Sequence, residues 1–139
     1  MSSIYEQQEL NLPRLQHAAM GIPSGAQEQV RAFYGGILGL REKPVPESLR
    51  SLGVLWFAAG DGEMELHFTP DDNHPANPEE GRHICLEVAD VATYRTYIEK
   101  SGYTTFDAPT IPNRPRFFCH DPFGNRLEFT TIKGDYLEA

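Results

Sequence analysis

Two similar segments, one in each half of the chain, constrain its fold more than any other feature of the sequence. The letters QHAA at 16–19 and RHIC at 82–85 stand near the starts of the two halves, and ELHFT at 65–69 and RLEFT at 126–130 stand near their ends. Matching segments in the same order in both halves indicate that one supersecondary unit was duplicated and that both copies fold alike. We therefore predict two modules with the same order of elements.

Each copy begins with a strand and continues into an amphipathic helix. In the first copy, SGAQ at 24–27 predicts a capping-box start and Gly39 predicts the end. In the second copy, Asp90 predicts the N-cap and Gly102 the end. Apolar residues recur at helical spacing between these limits: Val30, Phe33, Tyr34, Ile37 and Leu38 in the first copy, and Val91, Tyr94 and Ile98 in the second.

Three strand-like stretches follow each helix. They are 40–45, 52–59 and 63–69 in the first copy, and 103–107, 116–120 and 126–132 in the second. The predicted fold class is therefore α+β, with two tandem βαβββ modules. A segment rich in proline and acidic residues separates the copies as a linker. The predicted organisation is an N-terminal arm at 1–14, a first module at 15–70, a linker at 71–81, a second module at 82–132 and a C-terminal tail at 133–139.

Charge and composition exclude several classes of partner. Twenty acidic residues against twelve basic ones give a formal net charge of −8, which repels nucleic acid and anionic lipid. No apolar run approaches the ~20 residues needed to span a bilayer, and the N-terminus lacks the pattern of a signal peptide. Two cysteines are too few for a disulfide framework. We expect a cytoplasmic protein that binds neither nucleic acid nor membranes and acts on a small molecule.

The last two predicted strands form a hairpin whose faces can be assigned. If residues 121–125 form the loop, His120 lies opposite Arg126, Phe118 opposite Glu128, and Arg116 opposite Thr130. The opposite face of the hairpin is then wholly apolar and suits packing beneath a helix. We predict that the mixed face is the wall of a site, with Arg116 and Phe118 as substrate-binding residues and Arg116 holding an anionic group.

The same alternation places four potential metal ligands on the polar faces of four strands. They are His17, His67, His83 and Glu128, and the repeat pairs His17 with His83 and His67 with Glu128. If the modules combine by pseudo-twofold symmetry, three imidazoles and one carboxylate meet at the axis. Such a site suits one divalent transition metal, Zn, Ni, Fe, Co or Mn.

Two longer sequence patterns resemble a known family. The segments AFYGGILGL at 32–40 and DPFGNRLEF at 121–129, with the βαβββ repeat, resemble the glyoxalase, bleomycin-resistance and extradiol-dioxygenase group, the vicinal oxygen chelate superfamily. The resemblance covers 15–132. It implies a cupped mixed sheet around a divalent metal, often in a homodimer with composite sites. His17, His83 and Glu128 match the family's usual ligand positions, and His67 stands where glyoxalase I has a glutamate.

Three functions follow from these residues and this resemblance. The leading one is a metal-dependent enzyme, a lyase or isomerase, in which the ion acts as a Lewis acid on a bidentate oxygen substrate and stabilises an enediolate-type intermediate. Glu128 would be both a ligand and the general base. A second is an Fe(II) or Mn(II) extradiol-type dioxygenase with His17, His83 and Glu128 as its triad. A third is a metal-free protein of the bleomycin-resistance kind that binds a drug or metabolite.

Overall fold

The computed structural model describes residues 12–60 and 63–138 of the chain. Most of the arm predicted at 1–14 therefore lies outside the described residues. The first repeat contains β1 (His17–Ile22), α1 (Gln27–Val30), a π-helical segment (Arg31–Ile37), β2 (Glu42–Lys43), a 3₁₀ helix (Glu47–Leu52), β3 (Leu55–Ala58) and β4 (Glu65–Pro70). The second repeat contains β5 (His83–Glu87), α2 (Val91–Lys100), β6 (Thr105–Phe106), β7 (Arg116–His120) and β8 (Arg126–Thr130). The predicted α+β class with two βαβββ units is confirmed.

The two repeats form two mixed sheets with the same topology. The strand orders are β1-β4-β3-β2 and β5-β8-β7-β6, and in each sheet one parallel pair is followed by two antiparallel pairs. Their registers also correspond. Ala19 and Trp56 lie on either side of His67 in the first sheet, as Cys85 and Phe118 lie on either side of Glu128 in the second. The repeat seen in the sequence is therefore a structural repeat.

The apolar faces of both sheets contribute to one hydrophobic core. The alternation predicted for the strands is confirmed, because the apolar residues that alternate with the polar ones are buried in the core. They are Leu55, Phe57, Leu66 and Phe68 in the first sheet, and Phe117, Cys119, Leu127 and Phe129 in the second. Phe33, Tyr34 and Ile98 from the helices are also fully buried. The polar faces of the two sheets therefore point away from this core.

The first helix begins differently from the prediction. The SGAQ capping box is wrong, because the N-cap is Ala26 and no side chain caps this helix. Ser24 instead bonds to the linker: its Oγ donates to Asp72 Oδ2 at 2.6 Å and its amide donates to Asp72 Oδ1 at 2.9 Å. After one α-helical turn the backbone widens to π geometry, with the Leu38 amide bonded to the Phe33 carbonyl at 2.9 Å. Gly39 follows at φ +74°, which ends the helix as predicted.

The second helix follows the prediction at both ends. The Asp90 carboxylate accepts hydrogen bonds from the amides of Ala92 and Thr93, so it is the N-cap. Gly102 lies just beyond the last turn with φ +99°. None of the helices in residues 12–60 and 63–138 is long and apolar enough to cross a membrane.

Side chains of the first helix hold the two repeats together. Tyr34 is fully buried, and its hydroxyl donates to Asp121 Oδ2 in the second repeat at 2.7 Å. The rings of Phe33 and Tyr103 lie 4.9 Å apart across the same junction. The Asp121 carboxylate also accepts from the Phe123 and Asn125 amides, so it orders the β7–β8 turn as well. One buried carboxylate thus links the turn to the opposite repeat.

Candidate functional site

The first polar cluster lies on the polar face of the first sheet and consists of His17, Glu65 and His67. The rings of His17 and His67 are stacked with centroids 4.0 Å apart. Trp56 of β3 stacks on the other face of His67, with centroids 4.3 Å apart. The His67 side chain is only 13% exposed, whereas His17 is exposed at the edge of the sheet. His67 is therefore held between two flat rings.

Glu65 is a carboxylate that strand alternation could have identified, since it stands two residues before His67 on the same face of β4. His67 Nε2 donates to Glu65 Oε1 at 2.8 Å, and Lys43 of β2 forms an ion pair with Glu65 Oε2. These contacts, the one to Lys43 first and the one to His67 second, lower the pKa of Glu65 from 4.5 to about 2. Glu65 is therefore a carboxylate at any physiological pH.

The second polar cluster lies on the polar face of the second sheet and consists of His83, Arg116 and Glu128. His83 Nε2 and Glu128 Oε1 are 2.8 Å apart, and Arg116 Nη1 lies 3.4 Å from Glu128 Oε2. Arg116 uses its other donors on the Pro109 carbonyl, at 2.9 and 3.2 Å. The side chain of Glu128 is 10% exposed. Glu128 is thus a nearly buried carboxylate with a different partner on each oxygen.

Phe118 and Cys85 lie on the two strands that flank Glu128, one on each side of it. Phe118, opposite Glu128 in the register predicted from the hairpin, is 7% exposed and packs edge-on against His83 at 5.1 Å. Burial, and then the charge of Glu128, raise the pKa of the Cys85 thiol to about 12. Cys85 is therefore protonated at neutral pH, which excludes it as a ready nucleophile.

Each of the three histidines has one ring nitrogen fixed by an oxygen atom. His17 Nδ1 donates to Gln16 Oε1 at 2.8 Å, His67 Nε2 donates to Glu65, and His83 Nδ1 donates to the Gly81 carbonyl at 2.7 Å. In the neutral ring, the other nitrogen then has a lone pair. Histidines that bind metals are oriented in the same way, by a hydrogen bond from the non-ligating nitrogen.

The four predicted ligands form two pairs within one chain. His17 contacts His67 on the first sheet, and His83 contacts Glu128 on the second. Within residues 12–60 and 63–138, no three side chains of His, Cys, Asp or Glu are grouped so that they could hold a metal ion. The four side chains do not meet in a single site of one protomer.

The family model for the Glyoxalase/Bleomycin resistance protein/Dioxygenase superfamily matches residues 14–129. The chain belongs to this superfamily. The match includes both polar clusters and every strand except the last residue of β8. No match was found among the curated proteins.

Solved structures of two proteins named as glyoxalases and of one antibiotic binding protein share the fold of this chain. A glyoxalase family protein from Bacillus anthracis is 33% identical over 88% of this chain and 98% of its own, with a TM-score of 0.78. A glyoxalase/dioxygenase from Nostoc punctiforme is 24% identical over 89% of this chain and 94% of its own, with a TM-score of 0.73. TnmS3, an antibiotic binding protein from Streptomyces sp. CB03234, is 17% identical over 87% of this chain and 97% of its own, with a TM-score of 0.64.

Sequence reasoning missed one residue of the first polar cluster in this glyoxalase-superfamily chain, Glu65, and two side chains that contact that cluster, Trp56 and Lys43. The period-two spacing between Glu65 and His67 is the signal that could have identified Glu65. Trp56 and Lys43 could not be identified, because the register of β3 and of the short β2 is set by strand pairing in the folded chain. This pairing places Trp56 beside His67 and Lys43 beside Trp56.

Proposed function

We propose that this protein is a metal-dependent enzyme that acts on a small substrate with two neighbouring oxygen atoms, in a lyase or isomerase reaction. One divalent transition metal would be held by His17, His67, His83 and Glu128. Three imidazoles and one carboxylate suit Zn, Ni, Fe, Co or Mn. Four protein ligands on an octahedral ion leave two positions for the substrate.

The pair formed by His83 and Glu128 is the main support for this proposal. The Gly81 carbonyl fixes the proton on His83 Nδ1, so in the neutral ring the Nε2 lone pair points at a carboxylate oxygen 2.8 Å away. Two acceptors facing each other are satisfied only by a cation between them, either a proton or a metal ion. Ligand atoms at about 2.1 Å from one ion at right angles are about 3 Å apart, so this separation fits neighbouring ligands.

A homodimer is the second part of the proposal, because one chain holds the ligands as two separate pairs. His17 and His67 of one protomer would complete the site with His83 and Glu128 of its partner. The outer edges of β1 and β5 have no strand partner among the described residues. Between these edges lies a largely apolar groove of about 950 Å³, lined by residues such as Ala18, Ile84 and Leu86. A second copy of this chain would cover both edges and the groove.

Metal binding would require the first polar cluster to rearrange. A metal lies in the plane of an imidazole ring that binds it, and two nearly parallel rings 4.0 Å apart cannot both contain one ion in their planes. His17 lies exposed at the sheet edge and its hydrogen bond to Gln16 is also exposed, so it is the ring that would turn. His67 is held by Glu65 and Trp56, which makes it the fixed member of the pair.

The residues of the second cluster would perform the proton transfer. Glu128 would take a proton from the carbon next to the substrate carbonyl, using an oxygen that is nearly shielded from water. Arg116, pinned to the Pro109 carbonyl, would hold the other oxygen in place, so we assign it as a positioning residue. The metal, when bound, would supply Lewis acidity to the substrate oxygens.

Metal content tests the proposal directly. We expect protein purified without a histidine tag to contain about one transition metal ion per chain, measured by plasma mass spectrometry. A His17→Ala/Glu128→Ala double variant should contain almost none. His74→Ala, which removes an exposed histidine paired with Asp71, is the matched control and should keep the metal.

Three further results distinguish the functions. Glu128→Gln should abolish turnover while some metal remains bound, and full activity in that variant would overturn the role of Glu128 as base. Wild-type protein that contains no metal and takes none up would overturn metal dependence and favour a drug- or metabolite-binding protein. Bound iron or manganese with oxygen uptake on a catechol would favour the dioxygenase reaction instead.

A further inference from the structure

Arg126 is the cation of the second sheet that has no partner of its own. Its Nε is fully buried without a hydrogen-bond acceptor, and its only hydrogen bond is a long one, 3.4 Å, from Nη2 to the Pro78 carbonyl. Within residues 12–60 and 63–138, no carboxylate lies within ion-pair distance of it. Asp121, the carboxylate of the adjoining turn, is already bonded to Tyr34 and to Asn125. Arg126 is thus a partly buried arginine of the second sheet that has no carboxylate partner, in a protein with a net charge of −8.

Two phenylalanine rings lie within cation–π distance of the Arg126 guanidinium. Its Cζ lies 5.4 Å from the centroid of Phe118 and 5.8 Å from that of Phe106. The edge of a guanidinium holds its N–H donors, and a carboxylate binds there through two parallel hydrogen bonds. Arg126 has one long hydrogen bond and no carboxylate on its donors, whereas Arg116 spends its donors on Pro109 and Glu128.

A cavity of about 340 Å³ adjoins Arg126 and the second polar cluster. Arg126 and His83 both line it, and Met20, Pro75 and Ile84 give it apolar walls. Its volume is within the range of about 300–1,000 Å³ that is typical of ligand pockets. Its two carboxylates are already paired, Asp71 with His74 and Glu80 with Arg82. Arg126 is thus the arginine of this lining that has no carboxylate partner, and it lies on the same cavity as the proposed metal ligand His83.

We propose that this cavity binds the acidic end of the substrate, so that the substrate is a small organic acid whose oxyanion lies on the edge of Arg126. The inference rests on the proposed function for the position of the reacting oxygens, which would stand at His83 and Glu128. The oxyanion would accept from the terminal N–H donors of Arg126, and a compact apolar body would contact the apolar walls.

Binding of benzoate to the full-length protein tests this inference, with phenylphosphonate and uncharged benzamide as companion probes. Calorimetry should detect benzoate but not benzamide, and Arg126→Gln should weaken benzoate binding by about tenfold. Arg126→Lys keeps the positive charge but loses the two parallel N–H donors, so its affinity for benzoate should lie between those of the wild type and Arg126→Gln. Arg50→Gln removes an exposed arginine outside both clusters and should bind as the wild type does. Comparison of the two anions shows whether the cavity prefers a carboxylate or a phosphonate.

A measurement on the unaltered protein removes any dependence on how the variants fold. The NMR resonance of the Arg126 Nε–H group should shift as benzoate is added. Equal binding of benzamide and benzoate, unchanged affinity in a folded Arg126→Gln protein, or an unmoved Nε–H resonance would overturn the inference. Metal content measured in the same samples separates the two proposals. Benzoate binding without metal would overturn only metal dependence, and metal without benzoate binding would overturn only the anion site.

Discussion

Oxygen acceptors set the direction of the histidine lone pairs in both polar clusters. The three acceptors are of different kinds: a side-chain amide for His17, a carboxylate for His67 and a backbone carbonyl for His83. Glu65 matters most, because it fixes the one histidine that is nearly buried. Its own charge is stabilised by Lys43, which no pattern in the sequence connects with His67.

Glu65→Gln should lower the free energy of unfolding by about 1–3 kcal/mol at pH 7, since Lys43 and His67 lose a charged acceptor. The folded pKa, about 2, lies below the ordinary value of 4.5. The stabilisation by Glu65 is therefore complete above pH 4.5 and is lost as the pH falls towards 2. Urea unfolding of the wild type and of Glu65→Gln at pH 7 and pH 3 should show a smaller difference in the free energy of unfolding at pH 3.

Glu63→Gln is the matched control for this experiment. Glu63 is 78% exposed and pairs with Arg14 on the surface. Its replacement should change the free energy of unfolding by less than about 0.5 kcal/mol. A difference between wild type and Glu65→Gln that is the same at both pH values would contradict the assigned pKa.

Trp56 is the only tryptophan of the chain and reports on His67 directly. Its ring is nearly parallel to the His67 ring, at an interplanar angle of 6°. If His67 binds a metal, its electronic state and contact with the indole change, so zinc should alter the Trp56 fluorescence. His67→Ala should abolish this response. Zinc that is bound, as judged by mass spectrometry, without any change in wild-type emission would show that His67 is not a ligand.

At the scale of elements, the ends of the helices were predictable to different degrees. The second helix follows its local signals, because Asp90 caps it and Gly102 ends it. The first helix does not, because Ser24 is recruited by Asp72, a contact 48 residues away that no local pattern reveals. The π-helical turns after Val30 were likewise not predicted, since their apolar spacing is close to that of an α-helix.

Replacement of the two capping candidates tests this difference. Asp90→Ala should lower the free energy of unfolding by about 1 kcal/mol, because the amides of Ala92 and Thr93 lose their acceptor. Ser24→Ala removes only an exposed bond to Asp72, so we expect less than about 0.5 kcal/mol. Thermal unfolding monitored by circular dichroism gives both values. A larger loss for Ser24→Ala than for Asp90→Ala would contradict the assignment of the caps.

At the scale of the whole molecule, the repeat predicted the fold but not the assembly of the site. The alternation of β4, β5, β7 and β8 was enough to place His67, His83 and Glu128 on polar faces. How the two sheets sit relative to each other depends on Tyr34, Phe33 and the buried Asp121, whose contacts form only in the folded chain. The sequence therefore indicates the four candidate ligands, but it does not show that one chain keeps them in two pairs.

Complementation between two inactive variants tests the composite metal site most directly. One variant is His17→Ala/His67→Ala and the other is His83→Ala/Glu128→Ala, and each alone should bind almost no metal. In a mixed dimer isolated with two different tags, the intact pair of one chain meets the intact pair of the other, so one of the two sites is restored. We predict about one metal ion per mixed dimer. A mixed dimer that binds none, while the wild-type dimer binds about two, would contradict a site shared between protomers.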